Sequence, residues 1–222
     1  MEARLDSIPR AETLHYLSYH GSFLPEEILS DLARCETLML RTARPRLVWR
    51  LFPLLSDGTL EGTDYRPAGE DIRAFLRTCS SVVLLAATLG SETESLIRRA
   101  AAARTADALI LDAAGSAAIE RVCDNFCADL AAALAPRFLT DRFSPGYGDL
   151  PLNQQRWFFS LLDINRRLGV SLTESGLMVP QKTVTALVGV SDREQPKRPT
   201  GCESCALAER CAFRKEGKRC GT

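Results

Sequence analysis

The stretch Arg142-Phe-Ser-Pro-Gly-Tyr-Gly148 joins two helical patterns and combines a cation, a turn and an aromatic ring. Pro145 and Gly146 suit the two central positions of a type II turn, because glycine takes positive φ there without strain. The arginine can hold a carboxylate or phosphate at two points, and Tyr147 offers a ring for a base or a cation. On spacing alone, an ordinary surface turn followed by a helix-capping Asp149 explains the segment equally well.

The longest helical pattern precedes this stretch, from about Thr105 to Leu134. Its apolar residues recur at three- and four-residue steps and predict one buried face, formed by Leu111, Ala114, Ala118, Val122, Phe126, Leu130 and Leu134. Glu120 lies two residues from both Ala118 and Val122. That spacing is about 200° around a helix, so Glu120 points away from the buried face. Such a carboxylate is usually solvated or paired with an arginine.

The rest of the chain predicts strands separated by helical stretches without regular βαβ repetition. Helices are predicted at about residues 24–42, 69–76 and 152–168. Strands are predicted at about residues 46–53, 81–87 and 183–190. Ser91 is predicted to cap the helix after the second strand, with Glu94 completing a capping box. Together these elements predict a single α+β domain over residues 1–190, with an antiparallel or mixed β-sheet flanked by helices.

Composition narrows the classes of partner. The chain has 222 residues, 45% of them hydrophobic and 25% charged, and a formal net charge of zero. These values are typical of a soluble globular protein. Without a basic stripe, nucleic acid is not expected as a partner. The N-terminus does not resemble a signal peptide, and the longest apolar runs are too short or too interrupted to span a bilayer. We therefore expect no membrane partner and a cytoplasmic location.

The end of the chain differs in composition from the rest. A polar, proline-bearing linker starts at Ser191, and the last 21 residues contain Cys202, Cys205, Cys211 and Cys220. Because a reducing compartment disfavours disulfides, this spacing predicts a metal centre, either an iron–sulfur cluster or zinc. A disordered tail with incidental thiols is the alternative. The predicted division is a domain over residues 1–190 and a linker with a Cys-rich metal-binding tail over residues 191–222.

Two motifs of the chain resemble the activation (reactivation) domain of vitamin B12-dependent methionine synthase. That family carries Arg-x-x-x-Gly-Tyr, then a helix, then Thr-Glu-Ser and Met-x-Pro. The matching residues here are Arg142, Gly146-Tyr147, the helical stretch 152–168, Thr173-Glu-Ser175, Met178 and Pro180. The resemblance is specific over about residues 105–190. Because the full-length synthase is far longer, the chain resembles a stand-alone form of one of its domains.

The resemblance implies a methyltransferase subunit that binds S-adenosylmethionine and supports reductive methylation of cob(II)alamin to methylcobalamin on a partner. It implies ligand-binding roles for Glu120, Arg142, Ser144, Pro145, Gly146, Tyr147, Glu174 and Ser175. Arg142 would hold the methionine carboxylate, and Glu120 would take the amino group or a ribose hydroxyl. Tyr147 would face the corrin or the sulfonium as the catalytic residue. Glu174 and Ser175 would support the pocket from the next strand.

The implied partners are a cobalamin-binding methionine synthase or other corrinoid protein, and an electron donor such as flavodoxin or ferredoxin. Two departures from the family pattern bear on the ligand. Residues 1–80 show no match for the family's N-terminal ligand-contacting Asp, and its late pair of tyrosines is missing after Val190.

Two alternative functions stay open: a non-catalytic module that docks onto a corrinoid protein, and a redox protein that reduces corrinoids through the C-terminal cysteines. Hydrolysis that pairs a nucleophile with an imidazole is not expected. The only histidines, His15 and His20, lie in a predicted N-terminal helical hairpin far from every motif.

Overall fold

The computed structural model describes residues 1–19, 21, 23–194 and 209. In chain order the helices and strands are α1 (Arg10–Tyr16), α2 (Glu26–Thr42), β1 (Arg46–Pro53), α3 (Glu70–Leu76), β2 (Ser81–Thr88), α4 (Ser91–Ala103), α5 (Thr105–Leu134), β3 (Phe138–Phe143), α6 (Gln155–Leu162), α7 (Ile164–Leu168), β4 (Ser171–Leu172), β5 (Met178–Val179) and β6 (Thr183–Ser191). A short 3-10 helix, Leu152–Gln154, precedes α6. Within the described residues, no helix is both long and apolar enough to cross a membrane.

The four long strands form one antiparallel sheet in the order β1-β2-β6-β3. Every residue of β2 is buried, because the strand lies inside the sheet and helices cover both of its faces. The short strands β4 and β5 form a separate hairpin. The predicted α+β fold, with an antiparallel sheet flanked by helices, is confirmed.

Two hydrophobic cores lie on the two faces of the sheet, because successive residues of a strand point to opposite sides. Val188 of β6 packs in the core formed with α2 and α5, where the buried side chains include Met39 and Phe126. Leu187, its neighbour, packs in the core formed with α3, α6 and α7, which includes Phe158. The helix predicted from about Thr105 to Leu134 is confirmed as α5, and its predicted apolar face is the one that packs on the sheet.

The helix predicted over residues 152–168 is not continuous. Asp163 separates α6 from α7 and adopts the left-handed conformation, with φ of 53°. An aspartate tolerates that conformation better than most residues, because its short side chain can bond locally. Here the Asp163 carboxylate pairs with Arg166, one turn later.

The predicted capping box at Ser91 is wrong. The helix α4 begins at Ser91 itself, Gly90 occupies the N-cap position, and no side-chain hydrogen bond caps the helix. Gly90 has φ of 87°, which glycine adopts freely, so the chain turns from β2 into the helix one residue earlier than predicted. The Thr93 hydroxyl donates to the Gly90 carbonyl at 2.7 Å and closes this turn.

Candidate functional site

A cleft of about 450 Å³ opens between α5 and β3. Its lining residues come from these two elements, from the turn after β3 and from β6: Glu120, Asp124, Cys127, Thr140, Asp141, Arg142, Ser144, Tyr147 and Val184. Of the residues predicted to bind a ligand, Glu120, Arg142, Ser144 and Tyr147 therefore share one cleft. This grouping supports the interpretation of residues 142–148 as part of a ligand-binding site rather than an ordinary surface turn.

A β-bulge in β3 sets the direction of the Arg142 side chain. Leu139 pairs with Val190, whereas Arg142 pairs with Val188, so β3 contains one residue more than β6 across this step. A bulge re-aims the side chains beside it, and here it accompanies an arginine that reaches α5. Only 22% of the Arg142 side chain is exposed.

The Arg142 guanidinium bridges two carboxylates of α5. Its Nη2 lies 2.5 Å from Oε2 of Glu120 and its Nη1 lies 2.6 Å from Oδ1 of Asp124. These carboxylates are four residues apart and so share one face of the helix. The same Nη1 faces the Cys127 sulfur at 4.0 Å. Burial by itself lowers the pKa of Arg142, but Asp124 and Glu120 stabilise the cation and the net pKa is raised.

The cleft carries more negative than positive charge. Three carboxylates line it, those of Glu120, Asp124 and Asp141, against the single guanidinium of Arg142. Such an excess favours a ligand with net positive charge. A guanidinium has five N–H donors. Two of them serve Glu120 and Asp124, so Arg142 keeps further donors that a ligand carboxylate could use.

The turn after β3 has the geometry that the sequence predicts. The Tyr147 amide donates to the Ser144 carbonyl at 3.1 Å, and Gly146 has φ of 95°. The Gly146 amide donates to the Leu150 carbonyl at 2.8 Å, which fixes the turn from its other side. Tyr147 is 66% exposed at the edge of the cleft, so its ring is free to meet another molecule.

Asp149 caps α3, not the helix that follows it in the sequence. Its carboxylate accepts from the amides of Glu70 at 2.5 Å and Asp71 at 3.1 Å. A Cβ on Gly69 would lie 2.3 Å from Asp149 Oδ1, and one on Gly148 would lie 2.4 Å from Asp71 Oδ2. Both positions therefore require glycine for this close approach. The cap therefore holds the turn that carries Tyr147 against the start of α3.

Glu174 and Ser175 lie in the turn between β4 and β5 and not on a strand. The hydroxyls of Thr173 and Ser175 are 3.0 Å apart, and the Leu177 amide donates to Thr173 Oγ1 at 2.9 Å. Neither Glu174 nor Ser175 lines the cleft. These two residues shape a second turn, beside the turn of Tyr147.

Leu152 connects the two turns. Its methyl carbons lie 3.5 Å from the place of a Cβ on Gly146 and 3.3 Å from that of a Cβ on Gly176. The next residue along each turn is an exposed apolar side chain, Tyr147 in one case and Leu177, 62% exposed, in the other. Tyr147, Leu152 and Leu177 together are called the apolar rim below.

Sequence reasoning missed five residues that line the cleft: Asp124, Cys127, Thr140, Asp141 and Val184. Asp124 and Cys127 both lie on α5, and Asp124 was detectable because it follows Glu120 by one helical turn. Burial raises the pKa of the Cys127 thiol, so it is neutral. Burial and then the charge of Glu120 raise the pKa of Tyr16 at the end of α1, although Tyr16 does not line the cleft. No feature of the sequence near Tyr16 signals this interaction.

The predicted metal centre lies outside the described residues, as does His20. Its four ligands would be Cys202, Cys205, Cys211 and Cys220. Within the part of the chain that the structure describes, no group of three or more His, Cys, Asp or Glu side chains could hold a metal ion. The metal-binding tail stays a prediction.

Comparison with known proteins agrees with the resemblance seen in the sequence. Residues 122–195 match the family model of the vitamin B12 dependent methionine synthase activation domain. This match includes Arg142, the turn of Tyr147 and the β4–β5 hairpin, and it starts two residues after Glu120.

Among solved structures, the chain is similar to the crystal structure of the MetH reactivation domain bound to AdoHcy, with a TM-score of 0.62 and 15% sequence identity. The similarity covers 95% of this chain and 82% of that chain. A search of the curated proteins found no match. Residues 122–195 thus carry the sequence pattern of the methionine synthase activation domain, and the chain has the fold of that domain.

Proposed function

We propose that this chain binds S-adenosylmethionine in the cleft between α5 and β3, and acts as an activation subunit for a cobalamin-carrying methionine synthase. The observation that carries this proposal is the paired Arg142 in a negatively charged cleft, within the segment that matches the activation-domain family. S-adenosylmethionine has a sulfonium, an ammonium and a carboxylate, and so a net positive charge. It therefore complements a site with more carboxylates than cations.

The cleft offers a partner for each charged group of this ligand. Arg142 donates its remaining N–H groups to the methionine carboxylate, while Glu120 and Asp124 accept from the ammonium. The backbone from Ser144 to Gly146 lines the ligand. Gly146 has φ of 95°, which glycine adopts freely, and so allows the turn that brings Ser144 and Tyr147 to the cleft.

The reaction is a methyl transfer that needs no general acid or base. An electron donor of the flavodoxin or ferredoxin class reduces cob(II)alamin on the partner by one electron. The resulting cob(I)alamin forms a bond to the methyl carbon while the carbon–sulfur bond breaks. The electron pair of that bond stays on sulfur, and the products are methylcobalamin and S-adenosylhomocysteine. The acceptor is already a strong nucleophile and the leaving group is a neutral thioether. The task of the protein is therefore positioning and exclusion of water.

The apolar rim supports a role in meeting the partner. Tyr147, Leu152 and Leu177 are exposed beside the cleft, where an apolar contact would keep water from the methyl group during transfer. Tyr147 faces the sulfonium or the corrin, and its ring can also stabilise the sulfonium charge.

A reductive methylation assay tests this function. The chain is mixed with a corrinoid protein in the cob(II)alamin state, a reductant and S-adenosylmethionine, and methylcobalamin is followed by its absorbance. We expect methylcobalamin to form only when the chain is present. Tyr147→Ala should slow its formation by about tenfold or more, whereas Tyr147→Phe, which keeps the ring, should stay within about threefold. Equal rates with and without the chain would refute the proposed function.

One observation favours the docking alternative. Glu120 and Asp124 balance the charge of Arg142 within the cleft, so this cation does not need a ligand carboxylate as its partner. In that case the chain would bind the corrinoid protein equally well with and without S-adenosylmethionine, and would take up no S-adenosylmethionine by itself.

A further inference from the structure

A second cavity, of about 430 Å³, lies between α3 and the loop after β1. Its apolar part includes Leu54 and two residues of α3, Ile72 and Leu76. Ile72 is fully buried and Leu76 is 6% exposed, so they form a floor that belongs to the core. No step of the proposed methyl transfer uses this cavity.

Three arginines surround this floor. Arg73 comes from α3, Arg77 directly follows α3, and Arg66 comes from the loop after β1. All three are exposed, so their guanidinium groups lie at the mouth of the cavity above the apolar floor. This arrangement puts positive charge around an opening whose base is apolar.

The positive charge at this mouth is only partly balanced. The one carboxylate in the lining is that of Asp57. It already accepts from the Thr59 amide at 2.9 Å and the Thr59 hydroxyl at 3.0 Å. Arg73 pairs with Glu70, but both side chains are at least half exposed, so this ion pair is weak. Among the described residues, no salt bridge is formed by Arg66 or Arg77.

We propose that this cavity is a binding site for an organic phosphate. The phosphate group lies at Arg66, Arg73 and Arg77, because guanidinium groups bind phosphate oxygens through paired hydrogen bonds. The organic part of the ligand lies on the apolar floor, where burial of its surface adds affinity that inorganic phosphate cannot gain. Three cations around one opening favour the doubly charged phosphate over a single carboxylate.

This site is separate from the cleft of the proposed methyl transfer. Its floor belongs to the core of α3, α6 and α7, whereas α5 and Val184, which line the cleft, pack on the other face of the sheet. Failure of one proposal would therefore not affect the other. S-adenosylmethionine should not displace a ligand from the arginine-lined cavity.

Calorimetric titration of the full chain with phenyl phosphate, and separately with inorganic phosphate, tests the inference. We expect phenyl phosphate to bind at least about tenfold more tightly than inorganic phosphate. The double variant Arg66→Gln/Arg77→Gln should weaken phenyl phosphate binding by about tenfold or more. The matched control is Arg156→Gln, an exposed arginine of α6 away from the cavity, and it should leave affinity within about twofold.

Cys79 gives a second readout that needs no variant. This half-buried thiol lines the cavity. Phenyl phosphate should slow its modification by N-ethylmaleimide, as quantified by peptide mass spectrometry. Excess S-adenosylmethionine should not reverse that protection. The inference is overturned if phenyl phosphate does not bind, if inorganic phosphate binds as tightly, if the double variant binds unchanged, or if Cys79 is not protected.

Discussion

Arg142 is the residue on which the candidate site depends. Its position was predicted from the sequence, because an arginine before a Pro-Gly-Tyr turn is a distinct pattern. The sequence did not predict that Glu120 and Asp124 would both reach it. That arrangement depends on the bulge in β3, whose extra residue has no sequence signal. From its helical position, Glu120 was expected to be either solvated or paired with an arginine, and the structure shows the pair with Arg142.

Arg142→Ala should weaken S-adenosylmethionine binding by about 2 kcal/mol, roughly thirtyfold in affinity, because a charge-assisted contact to the methionine carboxylate is lost. Calorimetry measures this change. Arg137→Ala is the matched control, since Arg137 lies just before β3 and pairs with the exposed Asp192 outside the cleft. It should bind normally. Were both variants to bind within about twofold of the unmodified chain, the ligand site would lie elsewhere.

Elements with strong periodicity were predicted well, and breaks within them were not. The helix α5 matches its predicted range, because its apolar residues repeat over many turns. The division of residues 152–168 into two helices at Asp163 was missed, because a left-handed aspartate changes no apolar position. The start of α3 was predicted, but not its partner Asp149, which is distant in sequence.

Asp149→Ala should destabilise the fold by about 1 to 2 kcal/mol, because two amides at the start of α3 lose their acceptor. Asp149→Asn should retain most of the stability, since asparagine also caps helices. Urea unfolding measures both. A loss for Asp149→Asn as large as that for Asp149→Ala would mean that charge, and not capping, holds the turn to α3.

Acid should weaken the contact between α2 and the start of α5. Hydrogen bonds from Arg104 and then Arg34 lower the pKa of Asp31 from 3.8 to about 2. A lowered folded pKa means that the stabilisation is present above the unfolded pKa and is lost as pH falls towards 2. We therefore expect Asp31→Asn to lower the Tm at pH 6, and this difference to shrink between pH 4 and 2. Asp64→Asn, at an exposed loop position, is the control. A difference that stays constant with pH would contradict this account.

At the scale of the whole molecule, the sequence predicted the fold class but could not predict strand order. The order β1-β2-β6-β3 places β6, the last long strand, between β2 and β3. Pairing between strands so distant in sequence leaves no local signal. The packing of α1 against the core of α5, through Leu14, was hidden for the same reason.

The Cys-rich tail is a prediction for the complete chain. We expect anaerobically purified protein to carry one metal centre, brown if it is iron–sulfur and colourless with about one metal per chain if it is zinc. Truncation after Glu194 should remove the metal and leave S-adenosylmethionine binding intact, because the proposed ligand site lies within residues 1–190. Metal analysis and calorimetry of both forms test this. If the 222-residue chain contains no metal after anaerobic purification, the redox part of the account is wrong.

Calorimetric titration of the complete chain with S-adenosylmethionine tests the central claim most directly. The account predicts saturable binding at one site per chain. S-adenosylmethionine should bind more tightly than S-adenosylhomocysteine, because only the former carries the sulfonium charge that the carboxylates of the cleft favour. Absence of binding at millimolar ligand, in a chain that is folded by its thermal transition, would contradict the account and leave the docking module as the better explanation of the cleft.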